Sequence, residues 1–239
     1  MHLLIFFAIP LFAQTPCADV ARLPNITAAV QTTTHCQISI TLRPTADSEI
    51  RSEVWLPPAS GWNGKLLMEG GGGLVGSINT EGMTHAVREG YASASTDTGH
   101  SGRGGNFALG HPDKIIDFAY RAVHETVLQA KALIAAYYGR GPRLSYWEGC
   151  STGGRQALMS AQRYPEDFDA IIAGAPAYNQ IHISAWRMRL LMTALKSPQH
   201  ALPSEKLKLL NDAVLKKCDG KDGVNDHPPR KPSELQLSS

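Results

Sequence analysis

One pentapeptide restricts the fold of this chain more than any other feature. Gly149-Cys150-Ser151-Thr152-Gly153 lies between an apolar strand pattern, Arg143 to Glu148, and a helical pattern, Gly153 to Arg163. Gly-x-Ser-x-Gly is a short pattern, and its meaning comes from that strand–turn–helix setting. A serine on such a turn holds its hydroxyl above the sheet. The flanking glycines leave room where side chains would collide. The helix beyond supplies free N–H groups and a positive dipole end to a developing oxyanion. Ser151 is therefore the candidate nucleophile, and the Thr152 N–H is one candidate oxyanion donor. A second donor is expected from a loop after an earlier strand. Gly70 to Gly73 follows the apolar strand Lys65–Glu69, so Gly72 or Gly73 is placed for that task. A phosphate-binding reading of the glycine run fails, because no Gly-Lys-Ser/Thr follows it.

Upstream, Gln37 to Arg43 and Glu49 to Leu56 alternate polar and apolar residues, as an antiparallel pair does. Tyr91 to Thr96 reads as a strand running into a glycine-rich loop. A helical pattern then runs from Pro112 to Tyr138, with Ile115, Phe118, Ala122, Val123 and Val127 near one face, and Gly139 stops it. Asp169 to Ala173 is one more strand. Strands alternating with helices predict an α/β fold with a mainly parallel sheet and crossover helices. After Tyr178 the pattern changes to two helices, Ile183–Leu195 and Ser204–Lys217, with no strand between them. They read as the start of an inserted lid over 179–239, following a core over 14–178.

A net charge of +2 on 239 residues argues against nucleic acid or an anionic membrane as partner. The apolar run Leu3 to Ala13 is too short for a membrane-spanning helix. It has the length of a signal-peptide core, so residues 1–13 are expected to direct export, to a secreted or periplasmic location. Export makes disulfides favourable. Cys17 and Cys36 flank a short polar segment that a disulfide could staple, whereas Cys150 and Cys218 are harder to pair. No Cys-x-x-Cys or zinc-type spacing supports a redox or metal protein built on Cys150.

The chain resembles the tannase and feruloyl esterase family. The resemblance is carried by Leu42-Arg-Pro-Thr-Ala-Asp-Ser48, Val54-Trp-Leu-Pro57, Gly70-Gly-Gly-Gly-Leu-Val-Gly76, Ser95-Thr-Asp-Thr-Gly-His100, Ala108-Leu-Gly-His-Pro112, Phe118 to Glu125, Gly149-Cys-Ser-Thr-Gly-Gly-Arg-Gln156 and Tyr164 to Pro176. It implies an α/β-hydrolase core and hydrolysis of a small aromatic (phenolic) acid ester through an acyl-enzyme on Ser151. It also implies a disulfide from Cys150 to a cysteine beside the catalytic histidine, and a second one closing the loop after Cys218. Neither partner is found in the sequence. The family's triad acid and histidine lie after the lid, at positions this sequence does not contain. The resemblance therefore implies a truncated form. The alternative is a catalytically incomplete fragment or a degenerate binding protein of the same family.

Cys218-Asp-Gly-Lys-Asp-Gly-Val-Asn-Asp226 resembles the family's structural calcium loop. By that resemblance Asp219, Asp222 and Asp226 supply carboxylates and Val224 its carbonyl, and clustered Asp with Gly suits calcium chemistry. Asp97 and His100 are expected to organise a loop near the site rather than to react. Of the histidines, only His182, His200 and His227 follow Ser151, and none lies after a strand that could present it as the base.

Overall fold

The computed structural model describes residues 14–74, 76–197, 200 and 202–223. The expected signal segment 1–13 lies outside them. The chain divides into two compact units, Met1–Tyr178 and Asn179–Ser239.

The first unit is built on a seven-stranded sheet: β1 (Ile26–Gln31), β2 (Cys36–Leu42), β3 (Ile50–Leu56), β4 (Lys65–Glu69), β5 (Ala92–Thr96), β6 (Leu144–Cys150) and β7 (Ala170–Gly174). Their spatial order is β1-β2-β3-β5-β4-β6-β7. The first four in that order pair antiparallel, and β5, β4, β6 and β7 pair parallel. The alternation in β2 puts Cys36, Ile38, Ile40 and Leu42 in the core and its other residues outward, which sets the register Cys36↔Leu56 through Leu42↔Ile50. Strand β5 is buried throughout, as a strand packed on both faces must be.

Helix α2 (Thr80–Arg88) lies between β4 and β5 in sequence, and α4 (Ala122–Tyr138) and α5 (Thr152–Arg163) follow later. Asn79 caps α2 by accepting from the Gly82 N–H at 3.1 Å. Gly139 ends α4 in the left-handed conformation, φ 71°. The expected single helix from Pro112 is interrupted. A short α3 (Pro112–Ile116) runs into a π-helical turn, Asp117–Arg121, before α4 begins. The wider turn shifts the phase of the helical face. Ile115, expected inside, is 48% exposed, while Asp117 is fully buried and bonded to Arg121 at 2.5 Å.

Two elements escaped the sequence pattern: the four-residue α1 (Cys17–Val20) and β1, whose Ile26-Thr-Ala-Ala-Val-Gln31 shows no clean alternation of polar and apolar residues. They are held by tertiary means. Cys17 and Cys36 form a disulfide that ties α1 to β2, with 5.6 Å between Cα atoms. Replacing both cysteines by alanine is expected to cost about 2–3 kcal/mol. Thermal melts of the double variant against the parent, both oxidised, check this.

The second unit contains α6 (Gln180–Ala194), α7 (Ser204–Cys218) and a 3₁₀ turn, Asp219–Asp222. No described helix is long and apolar enough to cross a membrane.

Candidate active site

Strand β6 delivers the chain into a turn that no ordinary backbone would choose. Ser151 sits at φ 59°, ψ −112°, immediately before α5. A non-glycine residue there costs about 1–3 kcal/mol, which the surroundings must impose. They do so with backbone. The Ser151 N–H donates to the Gly174 carbonyl at 2.9 Å, and its carbonyl accepts from Ala177 at 3.0 Å. The glycines make the turn possible by close approach. A Cβ on Gly149 would lie 2.7 Å from the Gly153 backbone, and one on Gly70 would lie 2.7 Å from the Gly153 Cα. The β4 loop, the turn and the start of α5 are thus in direct backbone contact.

That packing fixes the glycine loop after β4. The Gly70 N–H donates to the Glu148 carbonyl at 2.8 Å, and its carbonyl accepts from Asn79 Nδ2 at 3.0 Å. The Gly71 N–H donates to Gln156 Oε1 at 3.2 Å, and the Thr152 hydroxyl donates to the Gly73 carbonyl at 2.7 Å. Gly73 itself turns at φ 57°. With these groups used, the N–H groups of Gly72 and Thr152 have no partner among the described residues. Gln156 and Asn79, which hold the loop, were not legible as functional residues. Their contacts span 85 and 9 residues of chain, so only the fold brings them there.

A cavity of about 560 Å³ adjoins the turn, lined by Glu69, Gly70–Gly72, Glu148 and Cys150 among others. The Cys150 thiol is free and exposed; that of Cys218 is free and buried. Glu69 and Glu148 are register partners at the ends of β4 and β6. Glu69 is only 8% exposed, and its carboxyl has no hydrogen bond among the described residues. Burial, aided by the charge of Glu148, raises its pKa from 4.5 to about 7. The unfolded chain therefore ionises Glu69 at lower pH than the folded chain does. Its contribution to stability is expected to be flat below pH 4.5, to fall between 4.5 and about 7, and to level off above. Glu69→Gln should flatten that segment of the stability–pH curve. A melt series from pH 4 to 8 measures it, and an unchanged slope would refute the assignment.

Arg155, like Gln156, bonds to residues distant in the sequence rather than within its own helix. Arg155 donates to the carbonyls of Ala119 and Phe118, at 2.9 and 3.0 Å, and so caps the π-turn. Asp97 accepts from the N–H groups of Arg51 and Gly99, and His100 stacks on Phe107, with its Nε2 3.1 Å from the Leu74 carbonyl. Both residues organise the loop after β5.

No described side chain hydrogen-bonds the Ser151 hydroxyl. The histidine rings are engaged elsewhere: His111 with Asp47, His124 with Asp167, His182 with Asn179 and His200 with Ser197. His85 is exposed on α2, and His227 lies outside the described residues. Of the expected calcium ligands, Asp219 is buried at the start of the 3₁₀ turn, which Asp222 ends and Gly223 follows at φ 90°. Val224 and Asp226 lie outside the described residues.

The sheet, its crossover helices and a strained serine turn at a strand-to-helix junction define an α/β-hydrolase fold. Solved structures agree. Feruloyl esterase B from Aspergillus oryzae superposes with a TM-score of 0.81 and 33% identity, over 95% of this chain and 45% of its own. Tannin acyl hydrolase from Aspergillus niger superposes with a TM-score of 0.70 and 25% identity, over 83% and 39%. Residues 36–233 match the family model described as tannase and feruloyl esterase, and the chain belongs to that family. A probable feruloyl esterase B-1 of Aspergillus fumigatus is 37% identical over 199 residues, 83% of this chain and 37% of the relative. An uncharacterized esterase of Xanthomonas campestris is 42% identical over 193 residues, 80% of this chain and 33% of the relative. The chain thus spans well under half the length of these curated relatives.

Proposed function

We propose that the protein is an exported serine carboxylic ester hydrolase acting on small aromatic (phenolic) acid esters. The observation that carries this reading is Ser151 at φ 59° between β6 and the N-terminus of α5. Ser151 Oγ attacks the ester carbonyl, and the tetrahedral oxyanion is held by the N–H groups of Gly72 and Thr152. The alcohol leaves, and water releases the acid from the acyl-serine. The general base that takes the serine proton, and the group that orients it, come from outside the described residues. The Cys17–Cys36 disulfide supports export, since such bonds persist in oxidising compartments. The names of the relatives support the substrate class.

A fluorophosphonate probe and methyl ferulate test the reading. The expected result is a single adduct mapping to Ser151, with turnover of the ester by protein that carries the general base. An adduct that maps elsewhere, or no adduct and no turnover, would overturn it.

Calcium is proposed as a structural ion in the loop Asp219 to Asp226. Its donors, Asp219, Asp222, the Val224 carbonyl and Asp226, are all hard oxygens in a glycine-containing stretch of sequence, a set that suits calcium. Saturating calcium is expected to raise the melting temperature and EDTA to reverse the gain. A melt that ignores both removes the proposal.

A further inference from the structure

The loop that offers the Gly72 N–H is not held by packing at its tip. Gly72 and Gly73 are exposed, and a Cβ on either would meet nothing within 4 Å. Its position rests on hydrogen bonds to either side. Upstream, Gly70 and Gly71 are fixed through Glu148, Asn79 and Gln156. Downstream, the Thr152 hydroxyl holds the Gly73 carbonyl, and the next carbonyl, that of Leu74, lies 3.1 Å from His100 Nε2. A carbonyl only accepts, so this bond requires the imidazole to carry a proton on Nε2.

His100 is itself held from several directions. It is buried, and its ring stacks on Phe107 at 3.8 Å between centroids and meets Phe118 edge-on at 5.7 Å. Its Nδ1 lies 3.3 Å from the Thr98 hydroxyl. The outgoing limb of the glycine loop touches it through backbone. The Gly76 N–H donates to the Gly102 carbonyl at 2.8 Å, and a Cβ on Gly76 would lie 2.3 Å from the His100 carbonyl oxygen. Phe118 is covered in turn by the Arg155 guanidinium, 4.7 Å from the ring centroid. Arg155 and Thr152 both belong to α5. Both downstream anchors of the glycine loop therefore trace to the helix whose first N–H, that of Thr152, is the other candidate oxyanion donor.

We propose that His100 is a positioning residue for the oxyanion hole: its Nε2–H holds the Leu74 carbonyl and so keeps the Gly72 N–H in register with the Thr152 N–H. The proposal rests on the esterase reading for its purpose, but the bond and its effect on the loop are measurable without turnover. His100 touches neither substrate nor Ser151. Its loss acts through the alignment of Gly72, which matters where charge develops in the transition state and little in ground-state binding.

Two substitutions separate the hydrogen bond from the packing. His100→Phe keeps an aromatic ring against Phe107 and removes the donor. His100→Gln gives up the ring and returns an N–H donor near the position of Nε2. Nitrogen NMR of the parent should first show the His100 ring protonated on Nε2; a ring protonated on Nδ1 alone would overturn the proposal. The Gly72 amide signal should then shift or broaden in the Phe variant and return toward the parent position in the Gln variant. In fluorophosphonate labelling of Ser151, the maximal rate should fall about tenfold in the Phe variant, with half-saturation unchanged, and the Gln variant should recover most of the loss. A role in packing alone predicts the reverse order, Phe nearer the parent than Gln, and that order would overturn the proposal. So would a Gly72 signal that the Phe variant leaves in place. A parent chain that takes no label would count against the esterase reading instead, and the amide signals would still decide whether His100 holds the loop.

Discussion

Ser151→Gly is expected to melt higher than the parent while losing ester hydrolysis, and Ser151→Ala is expected to lose hydrolysis without the gain. The two substitutions separate chemistry from strain. Both delete Oγ, and loss of a serine nucleophile costs on the order of 10⁴–10⁶ in kcat. They differ in backbone. At φ 59°, ψ −112°, any residue with a Cβ is strained, and alanine inherits the strain that serine bears. Glycine adopts that region freely. Relief of about 1–3 kcal/mol is offset by the extra freedom of glycine in the unfolded chain, about 0.5–1 kcal/mol. The net gain is about 1 kcal/mol, or roughly 2–4 °C in a chain of this size. Melts of the three proteins, with methyl ferulate assays alongside, give both readouts. A Ser151→Gly chain that melts with or below the alanine variant would show that the turn holds no strain worth relieving.

The larger structural effect belongs to Gly154. Its ideal Cβ position lies 2.4 Å from the Gly174 carbonyl oxygen and 2.8 Å from the Pro176 Cα. Both are backbone atoms, so no flexible side chain can yield. The crowded carbonyl is the one that accepts the Ser151 N–H. Gly154→Ala must therefore push β7 away from the start of α5 and stretch the bond that imposes the serine turn. Helix propensity favours alanine over glycine by about 1 kcal/mol, which is too little to compensate. The expected net loss is about 3 kcal/mol or more, at roughly 2–4 °C of melting temperature per kcal/mol. Gly141→Ala is the control, because nothing lies within 4 Å of its Cβ position. That variant should stay within about 0.5 kcal/mol of the parent. Equal melts for the two variants would mean that the junction is looser than its geometry states.

The serine turn was legible because all its determinants are local. Strand, glycines, serine and helix occupy one run of about twenty residues, and the spacing alone demands the turn. The alternation in β2 and β3 was legible for the same reason, since one face of each is buried. The π-turn at Asp117–Arg121 was not. A helical pattern carries no mark of one extra residue per turn, so the placement of Ile115 was missed while Phe118 to Val127 kept their helical phase.

By itself, the sequence of this protein determined the alternation of strands and helices, the strand–turn–helix around Ser151, and the glycine run that faces it. Those follow from hydrophobic period and from glycine, which act over neighbouring residues. The tertiary structure alone decided that the N–H groups of Gly72 and Thr152 have no partner among the described residues. It also decided that Gln156 holds Gly71, and that Glu69 sits beside Glu148 with its carboxyl raised toward neutrality. Each of these depends on β4 lying next to β6, a pairing across about eighty residues that sheet order sets and no local pattern encodes.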